Sequence, residues 1–186
     1  GENWTHYMWR ITGVDTCGGV DNNAPYSVIA IAINEDMLSG IPLTLTKYVY
    51  GEDFPDGSIE KLIYESTKNN DCYDLSGAKF QLFEDDGFTP VEAKKVDSEG
   101  RETGDKVSVI YTTDSSGNTE TYKLKNGTYK LKEIQAPKKG YYKDDSVKTV
   151  VVKGKNISVD GVQLSSIGKL GNKDLFSFEV EDIPMN

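Results

Sequence analysis

Gly127-Thr128-Tyr129-Lys130-Leu131-Lys132-Glu133-Ile134 places Tyr129, Leu131 and Glu133 on one side of an extended chain and Thr128, Lys130 and Lys132 on the other. Successive side chains of a strand point to opposite faces of its sheet. The segment therefore reads as a half-buried strand with a glutamate on its apolar side. Asn126-Gly127 just before it is a preferred tight hairpin turn. The same pattern occurs twice more. In Leu43-Thr44-Leu45-Thr46-Lys47 the lysine shares a face with two leucines, and in Phe178-Glu179-Val180-Glu181-Asp182 the aspartate shares a face with Phe178 and Val180. An amine and two carboxyls would all point into an apolar core. Buried charge is costly unless paired or neutralised, so the trio is either a buried ion-pair network or a reaction centre.

Working outward, residues 4–12, 26–34, 42–50, 58–66, 78–84, 106–113, 147–152, 157–159 and 175–182 read as further strands or strand-like runs. Turn signals separate many of them: Phe54-Pro55-Asp56-Gly57, Asp85-Asp86-Gly87 and Asp114-Ser115-Ser116-Gly117-Asn118. Residues 97–105 read as an exposed charged loop, 68–75 as a polar loop, 14–25 as a loop, and 34–39 as a helical turn. No helix of more than about two turns is expected. Abundant Tyr, Thr, Val and Gly with few Leu favour pleated strands joined by turns. The fold class is all-β, a sandwich. A composition shift near Gly40 marks residues 1–40 as an N-terminal extension, either extra strands or the end of a preceding module.

The net charge of −9 argues against a nucleic-acid partner and against an anionic membrane surface. No run is long and apolar enough to span a bilayer. The abrupt start at Gly1-Glu2-Asn3-Trp4, with no signal peptide, reads as an excised fragment. Cys17 and Cys72 are too few for a disulfide scaffold; they form one disulfide or remain free thiols.

Four motifs occur in a recognisable order. Gly127 to Tyr141, with Gly-Thr-Tyr at 127–129, Glu133, Ala136-Pro137 and Gly140-Tyr141, resembles the "G-T-Y-x-L-x-E-x-x-A-P-x-G-Y" segment of collagen-adhesin B-type domains, also called SpaA-type or prealbumin-like pilin domains. One extra residue, Lys138 or Lys139, precedes Gly140. Leu75-Ser76-Gly77-Ala78-Lys79-Phe80-Gln81-Leu82-Phe83 is similar to the family's "L-x-G-A-x-F-x-L", and residues 43–47 are similar to its opening lysine strand. Val180-Glu181-Asp182-Ile183-Pro184 resembles its closing "V-x-N-x-P", with Asp in place of Asn. The resemblance covers residues 41–186 and leaves 51–74 as an insertion after the first core strand.

The resemblance implies an immunoglobulin-like or prealbumin-like sandwich from the surface of a Gram-positive bacterium, in a pilin or a wall-anchored adhesin. Its partners would be other pilin subunits or adjacent domains, or a host protein or glycan. It also implies an intramolecular isopeptide bond, with Lys47 as nucleophile, Asp182 as acyl partner and Glu133 as proton shuttle. This is a single self-cross-linking event, so the module is not a turnover enzyme, and it calls for no cofactor or metal. The rival expectation is a ligand-binding surface domain that uses residues 1–40 or 51–74, with the buried trio as an ion-pair network.

Weaker signals have plainer readings. A thioester between Cys17 and Gln81, Gln135 or Gln163 lacks a convincing motif. His6, the only histidine, reads as a strand residue, and a single His argues against a histidine-based metal site. Residues 114–120 lack full calcium-loop spacing and read as a turn. Trp4, Tyr7, Trp9 and Tyr26 read as core residues or as an aromatic binding surface.

Overall fold

The computed structural model describes residues 4–10, 28–34 and 40–186. The chain divides into two compact units, 1–40 and 41–186. In the first, β1 (Trp4–Arg10) pairs antiparallel with β2 (Val28–Asn34), from Trp4 opposite Asn34 to Arg10 opposite Val28. The expected loop at 14–25 and the turn at 34–39 lie largely outside the described residues.

The second unit is a sandwich of two six-stranded sheets. Its elements are β3 (Ile41–Val49), α1 (Ile59–Thr67), β4 (Lys79–Glu84), β5 (Glu92–Val96), β6 (Glu102–Ser108), β7 (Ile110–Thr112), β8 (Asn118–Leu124), β9 (Gly127–Gln135), β10 (Val147–Lys153), β11 (Asn156–Val159), β12 (Val162–Gln163), β13 (Ser166–Leu170) and β14 (Lys173–Asp182). One sheet runs β12-β11-β10-β9-β4-β7 and the other β13-β14-β3-β8-β5-β6. The inward positions of both sheets form one core. Leu43, Leu45, Tyr122, Leu124, Phe176 and Val180 come from one side; Phe80, Leu82, Tyr129, Leu131, Val150, Val152 and Ile157 come from the other. Leu43, Leu45 and Lys47 of β3 and Tyr129, Leu131 and Glu133 of β9, the alternating positions of the sequence reading, are all buried.

Three expectations need correction. Residues 58–66 are not a strand but contain helix α1. Ser58 caps it, its Oγ accepting the Lys61 N–H at 3.1 Å. The inward side is Ile63, Tyr64 and Thr67, at helical spacing, while Ile59 and Leu62 stand exposed. Apolar residues on both sides of a short segment resemble a strand pattern, which hides the period. Second, the charged loop at 97–105 is shorter than expected. Asp97 Oδ1 accepts the N–H groups of Glu99 and Arg101 in a tight turn, and β6 starts at Glu102. Third, 106–113 is not one strand. The chain changes sheets at fully buried Val109, whose N–H donates to Val91 O and whose carbonyl accepts from Leu82 N. The polar edge strands β6 and β13 and the short β5 carry little apolar alternation to read.

The insertion is tied to the sandwich near Gly140. This residue has φ +83°, and a Cβ there would lie 2.6 Å from Cys72 O and collide with the Tyr73 ring. Gly140→Ala is expected to lower stability by about 2–4 kcal/mol, seen as a lower urea midpoint. Tyr111 is fully buried, and its hydroxyl has no hydrogen-bond partner among the described residues. Tyr111→Phe is expected to leave stability unchanged or raise it by about 1 kcal/mol in the same assay.

Candidate functional site

Strands β3 and β14, remote in sequence, are parallel neighbours, with Val180 opposite Lys47 and Asp182 opposite Val49. This register puts Lys47 and Asp182 on the same inward face, one pleat repeat apart. Glu133 arrives from β9 in the facing sheet, where it pairs with Phe80 of β4. The backbone is pinned on each side. Lys47 N donates to Gly117 O at 2.8 Å, and Tyr50 N donates to Asp182 O at 2.9 Å. The turn at 114–117, expected from sequence, closes against the Lys47 backbone. A Cβ on Gly117 would approach Lys47 O to 2.9 Å, so glycine permits that contact.

The three side chains meet out of reach of solvent. Lys47 Nζ lies 2.5 Å from Asp182 Oδ1 and 3.9 Å from Glu133 Oε1, with side-chain exposure of 0–1% for all three. The Phe80 ring centroid is 4.6 Å from Nζ and forms an aromatic wall of the site. Glu133 Oε2 accepts the Asp144 N–H at 2.7 Å. Among the described residues, Lys47 Nζ, Glu133 Oε1 and both Asp182 carboxylate oxygens lack a hydrogen-bond partner, so the short Nζ–Oδ1 approach is not in hydrogen-bond alignment. A buried ion pair repays its desolvation only with good geometry and satisfied remaining groups, and this one has neither.

Burial pushes the Lys47 pKa down from 10.5 to about 8, against the opposing pull of Glu133, Asp144 and Glu181. Burial pushes the Glu133 carboxyl up, countered by Lys47 and the Asp144 N–H. Both shifts favour neutral forms: an amine with a free lone pair and a carboxylic acid able to donate.

The sequence of residues 60–163 matches the model of the SpaA family, described as a prealbumin-like fold domain. That span is more than half of the chain. The chain belongs to the SpaA family of prealbumin-like domains. The matched span includes Glu133, whereas Lys47 and Asp182 lie outside it. Among curated proteins none matches. Three solved pilin structures align with the SpaA-type chain. The minor pilin GBS52 of Streptococcus agalactiae is 20% identical, with 96% of this chain and 60% of that one covered, at a TM-score of 0.44. The pilus 2b backbone protein of group B streptococcus is 20% identical, covering 89% and 47%, at 0.43. BcpA, the major pilin subunit of Bacillus cereus, is 15% identical, covering 98% and 38%, at 0.40. The chain spans less than two thirds of each of these proteins.

Of the other sequence candidates, Cys72 is exposed and has no disulfide partner among the described residues, and Cys17 lies outside them. Tyr26 also lies outside them, and Trp4, His6, Tyr7 and Trp9 are placed only as backbone positions of β1. The amides of Gln135 and Gln163 donate to Gly77 O and Asn156 Oδ1. The sequence reading missed Phe80 and Asp144 as neighbours of the trio. Phe80 was visible as an inward residue of β4. The Asp144 contribution is a main-chain N–H, which every residue but proline has, so residue type carries no signal for it.

The lowered Lys47 pKa has a consequence in Asp182→Ala, where Lys47 has lost its nearest carboxyl. Between pH 8 and 10.5 the unfolded chain holds a lysine proton that the folded chain has released. Unfolding free energy should therefore rise with pH across that window, by up to about 3 kcal/mol. Urea unfolding of Lys47→Met/Asp182→Ala, which lacks the group, should show a flatter profile.

Proposed function

We propose that this domain is a structural and adhesive module of a Gram-positive surface protein, a pilin or wall-anchored adhesin, locked by an isopeptide bond between Lys47 and Asp182. The observation that carries this reading is the sealed contact of Lys47 Nζ, 2.5 Å from Asp182 Oδ1, whose buried polar atoms have no hydrogen-bond partners. Forming an amide there replaces two buried charges with one neutral group and so removes the desolvation cost.

The Lys47 ammonium first gives a proton to the Asp182 carboxylate; the neutral amine then attacks Asp182 Cγ, and a C–N bond forms. Protonated Glu133 donates to the developing oxyanion and then to the departing hydroxyl, as the C–O bond breaks and water leaves. The nitrogen returns a proton to Glu133, which ends as it began. One ammonium and one carboxylate thus become one amide and one water. Folding supplies the proximity, and well-oriented groups reach effective molarities of roughly 10⁵–10⁸ M. The event occurs once per chain. Other pilin subunits or adjacent domains are the natural partners of such a module, and its location is extracellular.

A second reading, in which residues 51–74 contact a host protein or glycan, is favoured by Phe54, Ile59 and Leu62, which stand exposed on and beside α1. The two readings are compatible.

The test is the intact mass of the denatured, reduced chain. The expected result is a loss of one water relative to the sequence mass, restored to full mass in Lys47→Ala and in Glu133→Ala. An unmodified parent mass would return the trio to a buried ion pair.

A further inference from the structure

After Tyr142 the chain does not enter β10 directly. Tyr142 N donates to Ile183 O at 3.0 Å and Met185 N to Gly140 O at 2.7 Å, which fastens the segment to the chain just after β14. Residues 143–146 then pass beside Glu133. Asp144 Oδ1 accepts the Ser146 N–H at 2.9 Å, which folds the segment into an Asx turn. Lys148 Nζ lies 3.8 Å from Asp144 Oδ2 and tethers the same carboxylate from β10. The turn leaves the Asp144 N–H pointing inward, 2.7 Å from Glu133 Oε2. A cleft of about 500 Å³ lies on the outer side of this segment, lined by Tyr48, Tyr142, Asp144, Phe178 and Glu181 among others.

The two oxygens of Glu133 are thereby made unequal. Oε2 receives a main-chain donor, while Oε1 has none and is the oxygen 3.9 Å from Lys47 Nζ. In a neutral carboxylic acid the carbonyl oxygen is the acceptor and the hydroxyl oxygen is the donor. An N–H on Oε2 therefore selects Oε2 as the carbonyl and places the proton on Oε1, the oxygen nearer the lysine.

We infer that the Asp144 turn is a positioning element for the Lys47–Asp182 condensation: its side chain holds the turn, and its main-chain N–H fixes the Glu133 acid with the proton on the reacting side. This inference rests on the isopeptide reading and adds a residue to it. Asp144 touches none of the reacting atoms; it acts through Glu133. Without the turn, Glu133 can rotate or carry its proton on Oε2, and each productive encounter needs a rearrangement first.

The test is the rate of water loss, followed by timed intact-mass measurement on full-length chain made by cell-free translation. Asp144→Ala removes the turn acceptor, whereas Asp144→Asn keeps an Oδ1 acceptor and removes only the charge. Asp144→Ala is expected to slow cross-linking roughly ten- to a hundredfold, the scale of a small misplacement in a reacting site. Asp144→Asn is expected to stay within about threefold of the parent rate. The pH–rate profile supplies a readout that a merely structural turn would not move. The charged groups that act on Glu133 are Lys47 from β3 and Asp144 and Lys143 from the turn segment, and Asp182 of β14 sits against Lys47. Both variants lack the Asp144 charge, so they differ only in how well the N–H is held. Donation to the carboxylate favours its ionised form, so the limb belonging to Glu133 should lie at higher pH in Asp144→Ala than in Asp144→Asn. Equal rates for Asp144→Ala and the parent, or equal slowing with coincident limbs in both variants, overturn the inference while the cross-link stands. A parent chain that never loses water overturns the isopeptide reading itself.

Discussion

A lysine amine enclosed by two apolar sheets is the constraint on which the rest of this domain depends. Water cannot reach Lys47 Nζ, so its charge must be compensated from inside the protein or given up. The fold supplies two carboxyls, one from the neighbouring strand β14 and one from β9 across the core. Burial moves the amine and the Glu133 carboxyl toward neutrality together. A contact that performs poorly as a salt bridge is therefore well prepared for condensation. The same desolvation that makes the ion pair costly makes the amine nucleophilic and the acid a donor.

The pairing of β3 with β14 is central to this. Parallel neighbours need a long crossover between them, and here nearly the whole sandwich is that crossover. The register that buries Leu43, Leu45 and Val180 is the one that brings Lys47 beside Asp182, because a slip of one residue would turn every inward side chain outward. Hydrophobic packing thus fixes the Lys47–Asp182 geometry. In the proposed linked form, a covalent tie between these two strands would let tension pass from one to the other without loading the hydrogen-bonded ladders. It would also close a very long loop in the unfolded ensemble, as a disulfide does.

Much of the fold could be read from alternation alone. β3, β4, β9, β10 and β14 carry inward apolar residues at every second position, and each was expected within a residue or two. α1 was missed because Ile59 and Leu62 stay exposed, so its apolar residues do not fall on one helical stripe. β5, β6 and β13 were missed or misplaced because strands at or near a sheet edge are held by backbone pairing and need little apolar patterning. The exchange of sheets at Val109 is invisible locally, since both halves of that run are extended chain.

For the site, local pattern is enough to tell which lysine and which two carboxyl side chains face the core. Period-2 alternation is a local property, and it placed Lys47, Glu133 and Asp182 inward without knowledge of their partners. The convergence of the three, the parallel adjacency of β3 and β14, the Phe80 wall on the amine and the main-chain N–H from Asp144 on one oxygen of Glu133 emerge only in the folded chain. Those facts depend on contacts between separate segments, of which β3 and β14 lie more than a hundred residues apart, and on backbone groups common to almost every residue. The side-chain pattern of any one segment therefore carries no record of them.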